Sequence, residues 1–301
     1  MKDLSALTPA PEALGRERAA DVAHLVDAHS EMTAVERAFV TGLIQHYQPT
    51  KLLEMGVSAG GGTVIILNAI KDIPNAHLHS IDLFAQYYRD SNKPSGWLVA
   101  DCVPELAHLW TPHLGHDAVE VMHKIGEAGF VVLDTAHIHP VETLNFLCAL
   151  PYLKDGTVVV LHDISLHLTR VGYETASYAC RLLFDSVVGQ KLVPAEKYAA
   201  RPNIGAFQIC ADTRKYVYNM FSSLFMPWGI PHAKPWRELV PEKLINLYAE
   251  NFANHYGDEY RQMFLDAVKA QEDLRAAVSF CGFLRILAGR LARGVVKRRR
   301  F

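Results

Sequence analysis

Two strand-like segments of the sequence each end in a pair of ionisable side chains. The apolar run 130–133 is followed by Asp134 and, three positions later, by His137. The apolar run 157–161 is followed directly by His162 and Asp163. Because parallel strands bring their carboxyl ends to one edge of a sheet, we expect these four side chains around one crevice. An imidazole can accept a proton near neutral pH, and a pair of carboxylates can hold a divalent metal.

A glycine-rich turn lies earlier in the chain. It follows the strand-like residues 51–55, precedes the apolar run 64–67, and contains Gly56, Ser58, Gly60, Gly61 and Gly62. That order of strand, glycine turn and helix brings bare backbone against a nucleotide-like ligand. The next strand-like segment ends on Asp82, about 20 residues beyond the glycines, where a carboxylate can accept hydrogen bonds from ribose hydroxyls. Both features indicate one ligand that contains ribose.

The glycine spacing argues against a diphosphate ligand. The turn lacks the Gly-x-Gly-x-x-Gly order that fits a pyrophosphate and the Lys-Ser/Thr ending of a phosphate-binding loop. Its opening, Glu54-x-Gly56, resembles motif I of the class I methyltransferases that depend on S-adenosylmethionine (SAM). The resemblance covers residues 35–211 and implies SAM-binding roles for Glu54, Gly56, Ser58, Gly60, Gly61, Gly62, Asp82 and, at the adenine, Asp117. An ordinary turn at the end of a strand is the alternative.

The spacing Asp134-x-x-His137, with His162-Asp163 downstream, resembles a branch of class I O-methyltransferases that act on sugars and related natural products. The resemblance implies methyl transfer to a hydroxyl, with His137 as the base and Asp134 and Asp163 as ligands of a divalent cation such as Mg²⁺. Metal-dependent members carry a second acidic residue where this chain has His162, and Mg²⁺ prefers oxygen ligands. Metal dependence therefore stays open, and base catalysis by His137 or His162 without metal is the alternative.

Several of these residues have simpler explanations. Asp134 could cap the helix that follows it, and His162 could be a core histidine. His139, directly before Pro140, is interpreted as structural. The scattered histidines 108, 113, 116 and 123 have no regular ligand spacing and are interpreted as surface residues. At the level of function, a SAM-binding scaffold without catalysis is one alternative, and a nicotinamide-dependent oxidoreductase, whose glycine spacing is missing, is another.

Composition sets the broad class of the protein. The chain has 301 residues, half of them hydrophobic, and a net charge of −2, which suits a large α/β domain and gives no pull toward nucleic acid. Five scattered cysteines and a charged amino-terminal segment predict a cytoplasmic protein. The basic, amphipathic residues 283–301 predict peripheral contact with a membrane, with a solvated terminus as the alternative. A small-molecule or glycan acceptor is expected, and homo-oligomerisation is left open.

The alternation of strands and helices predicts a doubly wound, mostly parallel sheet of seven strands. The strands are expected at 51–57, 78–82, 109–114, 130–135, 156–164, 191–197 and 206–211. Helices are expected at 16–28, 33–46, 63–71, 97–108, 117–125, 140–150, 173–187, 213–225, 241–255 and 258–287. The chain is thus divided into a leader and helix (1–34), a methyltransferase domain (35–211) and a helical extension (212–301).

Overall fold

The structure is a computed structural model that describes residues 4, 7–169, 177–195, 201–229 and 236–278. Its strands are β1 (Lys51–Met55), β2 (His77–Asp82), β3 (Gln86–Tyr87), β4 (Asp90–Pro94), β5 (Trp110–Leu114), β6 (Ala128–Leu133), β7 (Leu153–His162), β8 (Gln190–Leu192) and β9 (Ile204–Gln208). Its helices are α1 (Pro11–Ala20), α2 (Ala23–Val26), α3 (Ala34–Tyr47), α4 (Gly61–Ile70), α5 (Trp97–Cys102), α6 (Ala118–Ile125), α7 (Val141–Ala149), α8 (Leu166–Thr169), α9 (Ala179–Ser186), α10 (Ala211–Lys215), α11 (Tyr218–Ser223), α12 (Trp236–Leu239), α13 (Glu242–Tyr256) and α14 (Asp258–Val278).

Seven of the strands form one sheet in the order β5-β2-β1-β6-β7-β9-β8. The first five in that order run parallel, and β9 is antiparallel to both β7 and β8. The strand order reverses between β1 and β6, so the crevice of a doubly wound sheet lies at their carboxyl ends. The predicted fold class, a doubly wound and mostly parallel sheet of seven strands, is confirmed.

Two apolar layers cover the sheet, because successive side chains of a buried strand point to opposite faces. One layer packs α3, α4 and α5 against inward-facing residues such as Leu52, Leu78 and Val132. The other packs α6, α7 and α9 against residues such as Leu53, Val131 and Leu161. With both faces covered, the strand ends are left as the place where polar side chains can meet.

Some predicted boundaries were wrong. The leader was expected to extend to residue 15 and a helix to run over 16–28, but α1 begins at Pro11, which presets the first helical turn, and ends at Ala20. The helix predicted over 97–108 ends at Cys102, and Pro104 begins a separate 3₁₀ turn. The hairpin β3–β4 was not predicted, and the helix expected over 213–225 is divided into α10 and α11. Residues 283–301, with the predicted membrane contact, lie outside the described residues.

The described part of the helical extension shares the core of the sheet. Phe252 and Phe264 are fully buried in the same apolar layer as α6 and α7. The hydroxyl of Tyr248 donates to Asp117 Oδ1 at 2.7 Å, and Lys243 Nζ donates to Glu120 Oε1 at 2.7 Å. The extension therefore braces α6 from outside. No helix within the described ranges combines the length and apolar character needed to cross a membrane.

Candidate active site

The turn after β6 carries the first pair of predicted residues. Asp134 follows the strand directly, and His137 has a φ of +58°, in the left-handed region that few side chains adopt. The buried carboxylate of Glu142 holds this turn, because its Oε1 accepts hydrogen bonds from the Thr135 hydroxyl at 2.9 Å and from the His137 backbone N–H at 2.5 Å. Helix α7 has Pro140 at its N-cap, so Asp134 does not cap that helix, and its carboxylate contacts His162 and His137 instead.

The second pair stands at the end of β7. His162 is its last residue, and Asp163 follows with a φ of +59°. Asn203, just before β9, donates from Nδ2 to Asp163 Oδ1 at 2.6 Å, and its backbone oxygen accepts from Ile164 N–H at 3.1 Å. The residue that precedes the antiparallel strand β9 thereby fixes the position of the Asp163 carboxylate. Asn203 was not predicted, since its partner lies forty positions earlier in the sequence.

The four predicted residues do meet. His137 Nε2 lies 3.1 Å from Asp163 Oδ2 and 3.7 Å from Asp134 Oδ1. His162 Nδ1 donates to Asp134 Oδ1 at 3.2 Å. The side chains of Asp134 and His137 are 28% and 22% exposed, whereas those of Asp163 and His162 are 6% and 2% exposed. Asp134 and His137 can therefore reach a bound molecule, and the buried Asp163 and His162 contact them from the protein interior.

A further buried carboxylate, missed in the sequence, completes the cluster. Glu36 on α3 places Oε2 at 3.7 Å from His162 Nε2, so the imidazole lies between two carboxylates. Burial alone would lower the pKa of His162, but Asp134 and Glu36 raise it well above its ordinary value. This favours the imidazolium form of His162, in which the ring donates to Asp134 rather than accepting a proton.

The same charges keep the two flanking carboxylates ionised. Burial alone would raise the pKa of Asp134, yet His162 and His137 outweigh it and hold that pKa below its ordinary value. Glu36 follows the same pattern. Burial alone would raise its pKa, but the hydrogen bond and positive charge of His162, together with the hydrogen bond from Thr33, lower that pKa below its ordinary value. In the sequence, Glu36 is recognisable as part of the motif Thr33-x-x-Glu36, a capping box at the start of α3. That motif does not indicate the contact between Glu36 and His162.

The glycine turn adjoins this cluster. Gly56 has a φ of +92°, and a Cβ there would lie 1.8 Å from the backbone oxygen of Asp134, so only glycine lets β1 and β6 approach this closely. Asp82 Oδ2 accepts hydrogen bonds from the backbone N–H groups of Val57 and Ser58 at 2.9 and 3.0 Å. The predicted ribose carboxylate thus also ties the turn to the end of β2.

Glu54 lies beneath the turn and is 1% exposed. Its Oε2 accepts hydrogen bonds from the hydroxyls of Ser80 at 2.6 Å and Thr63 at 2.8 Å. Burial, reinforced by the carboxylates of Asp134 and Asp82 and opposed by these two hydroxyls, raises the pKa of Glu54 to about 8. A protonated carboxyl therefore supports the turn at neutral pH.

We expect the Glu54→Gln variant to lose part of the pH dependence of folding. Between its ordinary pKa of 4.5 and about 8, Glu54 keeps a proton in the folded state that the unfolded chain releases. The free energy of unfolding of the wild type should therefore fall as pH rises through this window, by about 2–4 kcal/mol more than in Glu54→Gln. Denaturant unfolding at pH 5 and pH 8 measures the difference. The exposed Glu250→Gln is the control, and parallel wild-type and Glu54→Gln curves would contradict the assignment.

Comparison with known proteins decides the class of this site. Residues 53–164 match a family model described as a methyltransferase domain, and the match runs from β1 through the end of β7. The region from β1 to the end of β7 is therefore similar to a methyltransferase domain. The match includes Asp82, Asp134, His137 and Asp163, whereas Glu36 and Asn203 lie outside it. Among curated proteins, no match is found.

Solved structures resemble the chain only distantly. The O-methyltransferase TomG from Streptomyces achromogenes, involved in tomaymycin synthesis and bound to SAM, is 17% identical with a TM-score of 0.46, over 64% of this chain and 90% of that one. An O-methyltransferase from Bacillus cereus in complex with SAH is 15% identical with a TM-score of 0.43, over 68% and 94%. MycE from the mycinamycin pathway, in complex with Mg, SAH and mycinamycin VI, is 13% identical with a TM-score of 0.42, over 62% and 54%.

The remaining predicted residues of the methyltransferase domain have structural partners. Asp117 caps α6 by accepting from Val119 N–H at 3.0 Å, and burial raises its pKa although Tyr248 and Val119 bond to it. Its contact with adenine stays a prediction. Next to Asp82, the side chains of Phe84 and Tyr88 are 61% and 62% exposed.

The donor set of the methyltransferase domain fits Mg²⁺ only in part. Atoms of Asp134, His162 and Asp163 lie within 4.8 Å of one another, which is close enough for one ion. Magnesium takes oxygen ligands in octahedral geometry, whereas the third member here is a buried imidazolium that would have to lose its proton. Asp134 and Asp163 can offer oxygens to a cation, but His162 is a better partner for Asp134 than for a metal.

Proposed function

We propose that the chain transfers a methyl group from SAM to a hydroxyl of a carbohydrate or a related natural product of small size. The observation that supports this most is the position of Asp134 and His137. Both are partly exposed at the end of β6, next to the glycine turn, while every other ionisable group in contact with them is buried. A proton acceptor and an orienting carboxylate thus lie where a class I domain binds its ligand.

The residues around the turn fit an adenosine sulfonium. Glycines at positions 56, 60, 61 and 62 leave bare backbone in the turn. Asp82 uses three of its roughly four acceptor positions on the N–H groups of Val57, Ser58 and Phe84. The remaining position is suited to a ribose hydroxyl. The three carboxylates of Asp134, Asp163 and Glu36 outnumber the single imidazolium of His162, so the cluster keeps a net negative charge that favours a positive charge nearby. When bound, SAM supplies a methyl group on a sulfonium, which is a good leaving group.

His137 is proposed as the base. A neutral imidazole carries its proton on one nitrogen, and here Nδ1 lies 3.8 Å from Cys180 Sγ, a hydrogen-bonded partner that can accept that proton. Nε2 is the atom proposed to take the proton of the acceptor hydroxyl, and the N–H that forms can then donate to Asp163 Oδ2, which lies 3.1 Å away. The positive charge that arrives on the ring lies between Asp134 and Asp163, which stabilise it.

His162 and Glu36 are proposed to act through Asp134. A carboxylate that is to orient a hydroxyl must stay ionised, and the buried imidazolium of His162 fulfils that need. Because this arrangement already neutralises Asp134, methyl transfer without a metal is the mechanism that we favour. Asp134 and Asp163 are the residues that would hold a cation, which there would lower the pKa of the acceptor hydroxyl.

Titration calorimetry with SAM and with NAD tests the ligand. We expect SAM to bind and NAD not to bind, and Asp82→Ala to weaken SAM binding at least tenfold, which corresponds to about 1.4 kcal/mol. The substitution removes the ribose acceptor and also frees the backbone of residues 57 and 58, and both losses act in the same direction. Asp101→Ala, an exposed change on α5, is the control. Tight NAD binding, or equal SAM affinity in both variants, would overturn the proposal.

A further inference from the structure

The second ring nitrogen of His137 faces a different set of metal-binding groups. Nδ1 lies 3.8 Å from Cys180 Sγ and 4.0 Å from Glu142 Oε1, and donor atoms of all three residues lie within 4.8 Å of one another. Cys180 and Glu142 are both fully buried. This group is separate from Asp134, His162 and Asp163, and only the imidazole ring of His137 joins the two.

The spacing is close to that of a zinc site. Zinc binds thiolate at about 2.3 Å, imidazole nitrogen at about 2.0–2.1 Å and carboxylate oxygen at about 2.0–2.2 Å, usually in tetrahedral geometry. Those lengths require neighbouring ligand atoms about 3.3–3.6 Å apart. The distances of 3.8 and 4.0 Å to Nδ1 exceed this by a few tenths of an ångström, and the third distance, between sulfur and carboxylate oxygen, lies within 4.8 Å, so side-chain rotations of up to about 1 Å would complete the set.

Glu142 gives an independent indication of a ligand. Its Oε1, the oxygen that lies 4.0 Å from Nδ1, accepts the two bonds that hold the turn, whereas its Oε2 is buried without a hydrogen-bond partner among the described residues. A turn of the carboxyl group would be needed for Oε2 to reach a metal between Nδ1 and Sγ. A buried carboxylate oxygen without a partner is costly and needs a proton or a cation. A divalent zinc ion with one thiolate, one carboxylate and one neutral imidazole carries no net charge, so it suits this apolar interior.

We propose that His137, Glu142 and Cys180 form a binding site for zinc, and that zinc bound there inhibits the domain. Zinc on Nδ1 leaves the ring proton on Nε2, so the imidazole loses its free lone pair toward the crevice. The Cys180 thiol gives its proton to water as the sulfur–zinc bond forms, and no oxidation or reduction is involved. Only the inhibition rests on the proposed function, because metal binding requires no methyl transfer.

Cobalt(II) is the probe that separates this site from the other one. A thiolate ligand gives cobalt an intense near-ultraviolet charge-transfer band, which the oxygen and nitrogen donors of Asp134, His162 and Asp163 cannot produce. We expect the band in the wild-type chain, in Asp134→Asn and in Cys148→Ser, a buried cysteine outside the cluster. We expect Cys180→Ser to lose the band and to bind zinc at least tenfold more weakly.

X-ray absorption of the zinc-loaded wild type provides a measurement that needs no variant and should detect one sulfur ligand. A zinc shell of nitrogen and oxygen alone, or a cobalt band that persists in Cys180→Ser, would overturn the proposal. Zinc should also inhibit methyl transfer in the wild type at concentrations that do not affect Cys180→Ser. If the thiolate band appears but no methyl transfer is found, the metal site stands and the proposed function fails.

Discussion

His137→Asn is expected to lower kcat by about 10²–10⁴-fold while the affinity for SAM stays within about twofold. The acceptor hydroxyl loses its base, whereas the glycine turn and Asp82 are not in contact with the changed side chain. Asparagine is preferred to alanine here because it tolerates the left-handed backbone of residue 137, whose φ is +58°. The backbone N–H that donates to Glu142 is also retained. Initial rates with labelled SAM, together with titration calorimetry, give both numbers.

His123→Asn is the matched control for this result. His123 is exposed near the end of α6, on the side of the sheet away from the carboxyl ends of the strands, so its loss should leave kcat unchanged. A rate in His137→Asn within about threefold of the wild type would remove His137 as the base. The exposed Asp134 would then become the group to test, because it is the other side chain that reaches the crevice.

Gly56→Ala is expected to destabilise the domain by about 4 kcal/mol or more and to abolish SAM binding. The added Cβ would lie 1.8 Å from the backbone oxygen of Asp134, and a φ of +92° is strained for alanine. Strain of about 1–3 kcal/mol and a backbone collision that forces β1 away from β6 act together. Thermal and denaturant unfolding measure the loss, since most domains have only about 5–15 kcal/mol in total.

Gly257→Ala separates the collision from the strain. Gly257 has nearly the same φ, +96°, but nothing lies within 4 Å of its Cβ position. We therefore expect it to lose only about 1–2 kcal/mol and to bind SAM normally. If both variants lost the same free energy of unfolding, the close approach of the strands at Gly56 would contribute nothing to stability, and the account of the turn would be wrong.

The sequence predicted the parts of the site that follow from local order along the strands. Asp82, Asp134, His162 and Asp163 each lie at or directly after the carboxyl end of a parallel strand, and apolar runs mark those ends. Because such a sheet brings these ends together, the convergence of the four side chains could be inferred from the sequence alone. The seven-stranded, doubly wound sheet followed from the same alternation and is confirmed, and residues 53–164 match a family model described as a methyltransferase domain.

The residues that support the site could not be predicted in this way. Glu36 reaches His162 from a helix that precedes the sheet, and Cys180 approaches His137 from α9. Neither contact follows from spacing, since each depends on how a helix packs across a face. The hairpin β3–β4 was missed for a different reason: its residues are mostly polar and exposed, so no period-two pattern marks it.

The central claim is that an adenosine sulfonium binds at the carboxyl ends of β1, β2 and β6 with its reactive carbon next to Asp134 and His137. A crystal structure of the complex with S-adenosylhomocysteine tests it most directly. We expect ribose density at Asp82 and the sulfur atom facing the imidazole of His137. Ribose density away from Asp82, or a sulfur atom facing away from both Asp134 and His137, would contradict the account.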